Sequence, residues 1–372
     1  MTALMTVHST MPSFDARAPE SRHTRLRNRL SLFFGPVLFT GLLFFLARAQ
    51  PASAQQAPEV PVLGINLEGV DYPYPVERFP FESQDDSLQM AYMDVSPRAE
   101  DARPNGQTVL LLHGKNFNGD YWGRTASDLA AAGFRVIIPD QIGFGKSTKP
   151  PTYHFSFHQL AENTARLLDE VGAGRVDVVG HSMGGMLATR FALMYPERTR
   201  QLALVNPIGL EDWKRNGVPY RGIGAWRERE LGKDYEAIKA YQQESYYDGD
   251  WQESYERPVK LLAGMTKSPD WPRVARVQAR TYDMIYTQPV VYELDQLQMP
   301  ALLIIGTRDR TALGKDLVSP EVRETLGRYD QLGEKAAEAI PDARLVELEG
   351  VGHLPLLEAY PRYIDALRSF LK

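Results

Sequence analysis

Apolar positions in this chain gather into short continuous runs rather than alternating ones. The clearest lie at residues 108–112, 135–138, 176–179, 202–205, 301–305 and 344–348, with Asp177 interrupting the third and Glu347 the last. Each is rich in branched residues and is followed by turn formers such as His113-Gly114, Pro139-Asp140, Gly180, Asn206-Pro207, Gly306 and Gly352-His353. Runs of this length, closed in this way, predict strands buried on both faces. Ahead of them, residues 76–82 and 88–95 read as a pair of short strands. Helical patterns fill several of the gaps. Ser156-x-x-Gln159 is a capping box that opens a helix through Leu168. Residues 183–194 and 355–371 are also helix-like.

Strand and helix alternate, which predicts an α/β protein with a mostly parallel sheet. The alternation breaks once, between Pro207 and Pro300. That stretch carries helical patterning, several Pro and Gly, and no convincing buried strand. The expected organisation is a core at 75–210 and 299–372, a helical insertion at 211–298, and a Pro-rich linker at 55–74.

The N-terminus follows a different pattern. Arg17, Arg22, Arg25, Arg27 and Arg29 precede an almost wholly apolar run at 30–46, and Ala52-Ser53-Ala54 follows it. Basic region, apolar run and small-x-small site together predict a signal peptide at 1–54, cleaved after Ala54. An uncleaved N-terminal anchor is the alternative, and membrane contact then runs only through 30–46. The expected location is periplasmic or secreted. No adjacent Arg pair supports a twin-arginine route.

Charge and cysteine content narrow the chemistry. The 372 residues carry 42 Lys and Arg against 47 Asp and Glu, a net charge of −5. Residues 1–54 hold six of the Arg and two of the acids, so the mature part is near −9. No basic footprint for nucleic acid is present. Cysteine is absent, which excludes disulfides, thiol nucleophiles and Cys-ligated zinc.

The candidate chemistry sits at strand ends. Gly180-His181-Ser182-Met183-Gly184 is a G-x-S-x-G between a strand and a helix, the context that turns such a motif into a nucleophile elbow. The positive end of the following helix faces Ser182. A serine hydroxyl is a weak nucleophile and needs a base held by a third group. After Ala54 the histidines are His113, His154, His158, His181 and His353. His181 is fixed beside the serine, His113 precedes a glycine at a strand end, and the capping box leaves His154 outside the helix that holds His158. That pair is therefore not a helical metal site. His353, in the loop after the last strand, is the expected base. The acid should lie between Ser and His in chain order. Asp309 follows an apolar strand and is favoured over Asp283 and Asp295, which do not. The expected oxyanion donors are the backbone N–H of Met183 and that of Lys115, with Asn116 second. Gly145-Lys146-Ser147 imitates the end of a P-loop, but Asp140 stands where the first glycine is required.

His113-Gly114, Asp140-x-x-Gly143-x-Gly145-x-Ser147, Gly180-His181-Ser182-Met183-Gly184-Gly185, Gly306-x-x-Asp309 and Gly352-His353 together resemble the α/β-hydrolase superfamily, over roughly residues 75–372. The resemblance implies an eight-stranded, mainly parallel sheet with a cap after the sixth strand. It also implies a Ser182–His353–Asp309 triad, no cofactor and a small-molecule acyl substrate. Ser182 separates the chain from epoxide hydrolases and haloalkane dehalogenases, which place aspartate there. The expected activity is hydrolysis of a carboxylic ester, thioester or lactone. Carbon–carbon or amide cleavage by the same triad is the alternative, and a non-catalytic binding protein is a third reading. Residues 211–298 hold four of the five Trp and nine of the eighteen Tyr. Tyr246, Tyr247 and Trp251 are the expected lining of an acyl pocket above Ser182.

Overall fold

The computed structural model describes residues 59–98 and 103–372. The signal-peptide reading of 1–54 and the first four linker residues lie outside the described residues. Eight strands form one sheet: β1 (Val76–Ser83), β2 (Asp86–Val95), β3 (Thr108–Leu112), β4 (Arg135–Pro139), β5 (Val176–His181), β6 (Thr199–Val205), β7 (Ala301–Gly306) and β8 (Ala343–Leu348). Their spatial order is β1-β2-β4-β3-β5-β6-β7-β8. β2 runs antiparallel to both its neighbours, and all other pairings are parallel.

Helices cover both faces of β3 to β7, which is why those strands read as largely apolar runs. β8 departs from the expected burial on both faces: it lies at the sheet edge and is only half-buried, with Arg344 and Glu347 exposed. α1 (Gly123–Ala131) joins β3 to β4. α2 (Phe157–Glu170) precedes β5, and α3 (Met183–Met194) follows it. α4 (Ile223–Leu231), α5 (Tyr235–Tyr247), α6 (Glu256–Thr266) and α7 (Trp271–Thr287) lie between β6 and β7. α8 (Pro320–Thr325) and α9 (Tyr329–Ala339) precede β8, and α10 (Pro355–Glu358) and α11 (Tyr360–Leu371) close the chain. Side chains alternate across a strand. Val178, Leu204 and Leu303 accordingly pack with α2, α3 and α9 on one face. Val179, Val205 and Leu302 pack with α1 and α11 on the other. Truncating a buried leucine such as Leu303 to alanine would cost about 2–5 kcal/mol.

Three local features depart from the sequence pattern. The single helix expected at 355–371 is two, broken at Ala359 (φ −134). Pro361 has no N–H to give Leu357 O, and its ring excludes that carbonyl. The described part of the expected linker is packed. Val60 enters an apolar cluster with Ile238 and Val259, while Ile65 and Leu67 join Met265 and Val274. Leu63 N–H also donates to Gly264 O at 3.0 Å. α1, α8 and α9 are helices that the sequence pattern leaves unmarked. Among the described residues no helix is long and apolar enough to cross a membrane.

Candidate active site

Ser182 occupies the turn between β5 and α3 with φ 56 and ψ −122. A non-glycine residue at positive φ costs on the order of 1–3 kcal/mol and persists only where its surroundings dictate it. Here they do. Ser182 N–H donates to Val205 O, and Ser182 O accepts from Gly185 N–H at 2.9 Å and from Ile208 N–H. The flanking glycines let the helix abut the sheet. A Cβ on Gly180 would stand 2.2 Å from Gly184 O, and one on Gly184 would stand 2.1 Å from Leu112 O.

His353 and Asp309 meet at the ends of β8 and β7. His353 Nδ1 lies 2.7 Å from Asp309 Oδ2, and both side chains are fully buried. Asn206 Nδ2 donates to the same Oδ2 at 2.8 Å, and Thr311 N–H donates to Oδ1 at 2.8 Å. Burial alone would raise the Asp309 carboxyl. The charge and hydrogen bond of His353, with the bonds from Thr311, outweigh it and hold the carboxyl below its usual range. An ionised Asp309 can only accept, so Nδ1 carries the ring proton. The opposite nitrogen, Nε2, is buried and has no partner among the described residues. Of the alternative acids, Asp283 accepts from Tyr220 at the surface and Asp295 is exposed.

His181 links these parts, a role its sequence position did not reveal. His181 Nε2 lies 2.9 Å from His353 O. A carbonyl only accepts, so Nε2 is protonated and Nδ1 is the acceptor. Tyr121 O–H donates to that Nδ1 at 3.0 Å and accepts from Gly114 N–H at 3.1 Å. One directed chain therefore runs from the loop after β3, through the residue before the serine, to the backbone of His353. Burial, and next the neighbouring His353, push the His181 pKa down to about 3, which keeps the ring neutral.

The loop after β3 passes against the serine. A Cβ on Gly114 would lie 3.0 Å from Ser182 Cβ. Phe117 N–H closes the turn onto Gly114 O. The backbone N–H groups of Lys115 and Asn116 have no acceptor among the described residues. Met183 is the first residue of α3, where N–H groups lack intrahelical acceptors. Lys115 sends its side chain away from the loop. Its Nζ lies 3.5 Å from the centre of the Tyr282 ring and donates to Gln278 Oε1 at 2.8 Å. Burial lowers its pKa to about 7, with Glu230 pulling the other way.

The three expected pocket residues divide. The Tyr246 ring stacks on His353 with centroids 4.6 Å apart, and its hydroxyl accepts from Asn116 Nδ2 at 2.9 Å. Tyr246 O also accepts from His353 N–H. Tyr247 instead stacks on Tyr255 at 3.7 Å. Trp251 packs edge-on against Tyr247 and donates to Glu256. None of the three lines the cavity of about 360 Å³ beneath α4 and α5, where Tyr241 and Tyr282 stand instead. The P-loop look-alike serves the turn after β4. Lys146 N–H binds Asp140 Oδ2 and Ser147 O–H donates to Asp140 O, both at 2.6 Å.

Comparison with known proteins identifies the fold family. A family model described as alpha/beta hydrolase fold matches residues 107–360. Lipase 1 of Psychrobacter immobilis is 27% identical over 293 residues, which cover 76% of this chain and 83% of that protein. A 2-hydroxy-6-oxo-2,4-heptadienoate hydrolase of Pseudomonas putida is 36% identical over 107 residues, 28% of this chain and 39% of that protein. A solved structure of a probable hydrolytic enzyme from Pseudomonas aeruginosa is 52% identical, with TM-score 0.82 over 84% of this chain and 99% of its own.

Proposed function

The chain belongs to the alpha/beta hydrolase fold family and is a hydrolase, and from that premise we propose that it cleaves a carboxylic ester, thioester or lactone through an acyl-serine intermediate. Ser182 Oγ attacks the carbonyl carbon while His353 Nε2 takes its proton. Asp309 holds the imidazole in the Nδ1–H tautomer and stabilises the imidazolium. The N–H groups of Met183 and Lys115 receive the oxyanion, each worth about 3 kcal/mol of barrier. His353 then returns the proton to the leaving oxygen or sulfur, and water repeats the sequence to release the acid. The observation that carries this reading is the buried His353–Asp309 contact at 2.7 Å, with Nε2 unpaired, beside an elbow that fixes Ser182. The helices between β6 and β7 act as a cap over this site.

Carbon–carbon cleavage is the second reading, favoured by the 36% identity to the Pseudomonas putida hydrolase. Initial rates on p-nitrophenyl butyrate, a butyryl thioester, a lactone and a vinylogous 1,5-diketone separate the two. Turnover of the first three is expected; turnover of the diketone alone would overturn the ester reading. We also place the protein outside the cytoplasm, on the Arg-rich segment, the apolar run and Ala52-Ser53-Ala54. N-terminal sequencing of the exported protein should then begin at Gln55, and a start before Leu46 would favour the anchored form.

A further inference from the structure

The cavity of about 360 Å³ lies between the helical insertion and the loop after β7. Two of its residues touch the candidate site directly. Asn116 belongs to the oxyanion loop, and Thr311 N–H holds Asp309. Its volume is within the range of small-molecule sites, and Trp226, Ile238 and Leu262 give it an apolar side.

The rest of the wall is polar and incompletely satisfied. Gln242 is 1% exposed, yet neither its Oε1 nor its Nε2 has a partner among the described residues. A buried orphan of this kind costs about 1–3 kcal/mol, a cost offset when a ligand supplies the missing bonds. Gln242 lines the cavity.

The charges around it do not cancel. Arg229 and Arg221 share the single carboxylate of Asp316, at 2.7 and 2.6 Å. Lys233 pairs with Glu230 at 2.7 Å, but Glu230 also faces Lys115. Lys315 Nζ donates to Arg310 O at 2.6 Å and makes no ion pair with a described residue. Cations therefore outnumber carboxylates in a partly desolvated wall, where an anion gains most from them.

We propose that this cavity is a substrate subsite for an anionic oxygen group, a carboxylate in the simplest case, so that the preferred ester carries a negative charge at its far end. The ester part of this statement rests on the function proposed above; the anion-binding part does not. Gln242 supplies both a donor and an acceptor to the polar end, Lys233 and Lys315 supply charge, and Tyr241 and Tyr282 flank the chain that connects it to the reacting carbonyl.

Paired substrates test this. Mono-p-nitrophenyl adipate is compared with p-nitrophenyl hexanoate, and 6-acetoxyhexanoate with hexyl acetate, which places the charge on the acyl or the alcohol side. Wild type is expected to favour the charged member of at least one pair by about tenfold in kcat/KM. Lys233→Met and Gln242→Leu should each lower that ratio severalfold. A neutral preference in both pairs, or ratios unmoved by both variants, overturns the proposal. Adipate binding to the full-length Ser182→Ala protein, followed by calorimetry, is read separately. Binding that Lys233→Met weakens supports the subsite even if no ester is hydrolysed, and absent binding counts against it even if esters are.

Discussion

Replacing Asp309 with asparagine tests the reasoning about protons at the site. Both oxygens of this carboxylate accept from donors. Oδ2 receives His353 Nδ1–H and Asn206 Nδ2, and Oδ1 receives Thr311 N–H. An asparagine must aim its NH₂ at one of these sets. Turned toward Thr311, it sets donor against donor. Turned toward His353, it confronts Asn206 and forces the imidazole into the Nε2–H tautomer, which cannot take a proton from Ser182. One buried donor left unpaired costs about 1–3 kcal/mol of stability. The wrong tautomer costs about 10⁴ in kcat, or roughly 5–6 kcal/mol of barrier. Asn206→Asp combined with Asp309→Asn separates the two effects. The new carboxylate accepts from the asparagine NH₂ and still accepts from Gly306 N–H, which Asn206 Oδ1 now does at 2.9 Å. The double variant should regain most of the stability in urea titration and little of the rate on p-nitrophenyl butyrate. An Asp309→Asn enzyme within tenfold of wild type would refute the assignment of the acid. Recovery of rate in the double variant would refute the tautomer argument.

Three further outcomes follow from the geometry. Tyr246→Phe keeps the ring on His353 but strands Asn116 Nδ2, so it should cost about 1 kcal/mol of stability in urea; Tyr246→Ala should cost about 3–5 kcal/mol, and only the alanine variant, which removes the ring stacked on His353, should lower kcat on p-nitrophenyl butyrate. Gly184→Ala places a Cβ 2.1 Å from Leu112 O, against backbone that cannot yield, and should give no folded protein by circular dichroism; a folded, active variant would contradict the elbow packing. His181, with its pKa depressed from 6.5 to about 3, refuses protons that the unfolded chain takes up, so its contribution is complete above pH 6.5 and is lost as pH falls toward 3. Wild-type stability should therefore fall more steeply between pH 6 and 4 than that of His181→Gln, by up to about 1.4 kcal/mol per pH unit, and parallel slopes would show that His181 is not kept neutral.

Much of this architecture was legible because parallel strands covered on both faces leave unbroken apolar runs. β3 falls where the run at 108–112 placed it, and α3 begins immediately after the candidate serine. His353 and Asp309 were reachable because chain order and strand ends restrict the choices, and the structure brings those two together. Less legible were contacts that depend on a third dimension. Tyr121 lies far from His181 in sequence, and nothing local marks its hydroxyl as the relay between Gly114 and that ring. Asn206 is a turn residue by composition, and only the pairing of β6 with β7 sets its amide on Asp309. The aromatic-rich insertion was visible as composition, but composition does not say which rings face a cavity. Tyr247 and Trp251 went into an aromatic cluster with Tyr255, whereas Tyr241 and Tyr282 took the wall. The packed segment at 59–74 was opaque for a similar reason, since Val60, Ile65 and Leu67 follow neither helical nor strand spacing.

The central claim is that Ser182 is the residue that becomes acylated. It is tested most directly by treating the purified protein with a fluorophosphonate and locating the adduct by peptide mass spectrometry. One adduct per chain is expected, on the peptide containing Ser182, formed in parallel with loss of p-nitrophenyl butyrate hydrolysis and absent from Ser182→Ala. An adduct on another residue, or an unmodified Ser182 in fully inhibited protein, would contradict the account.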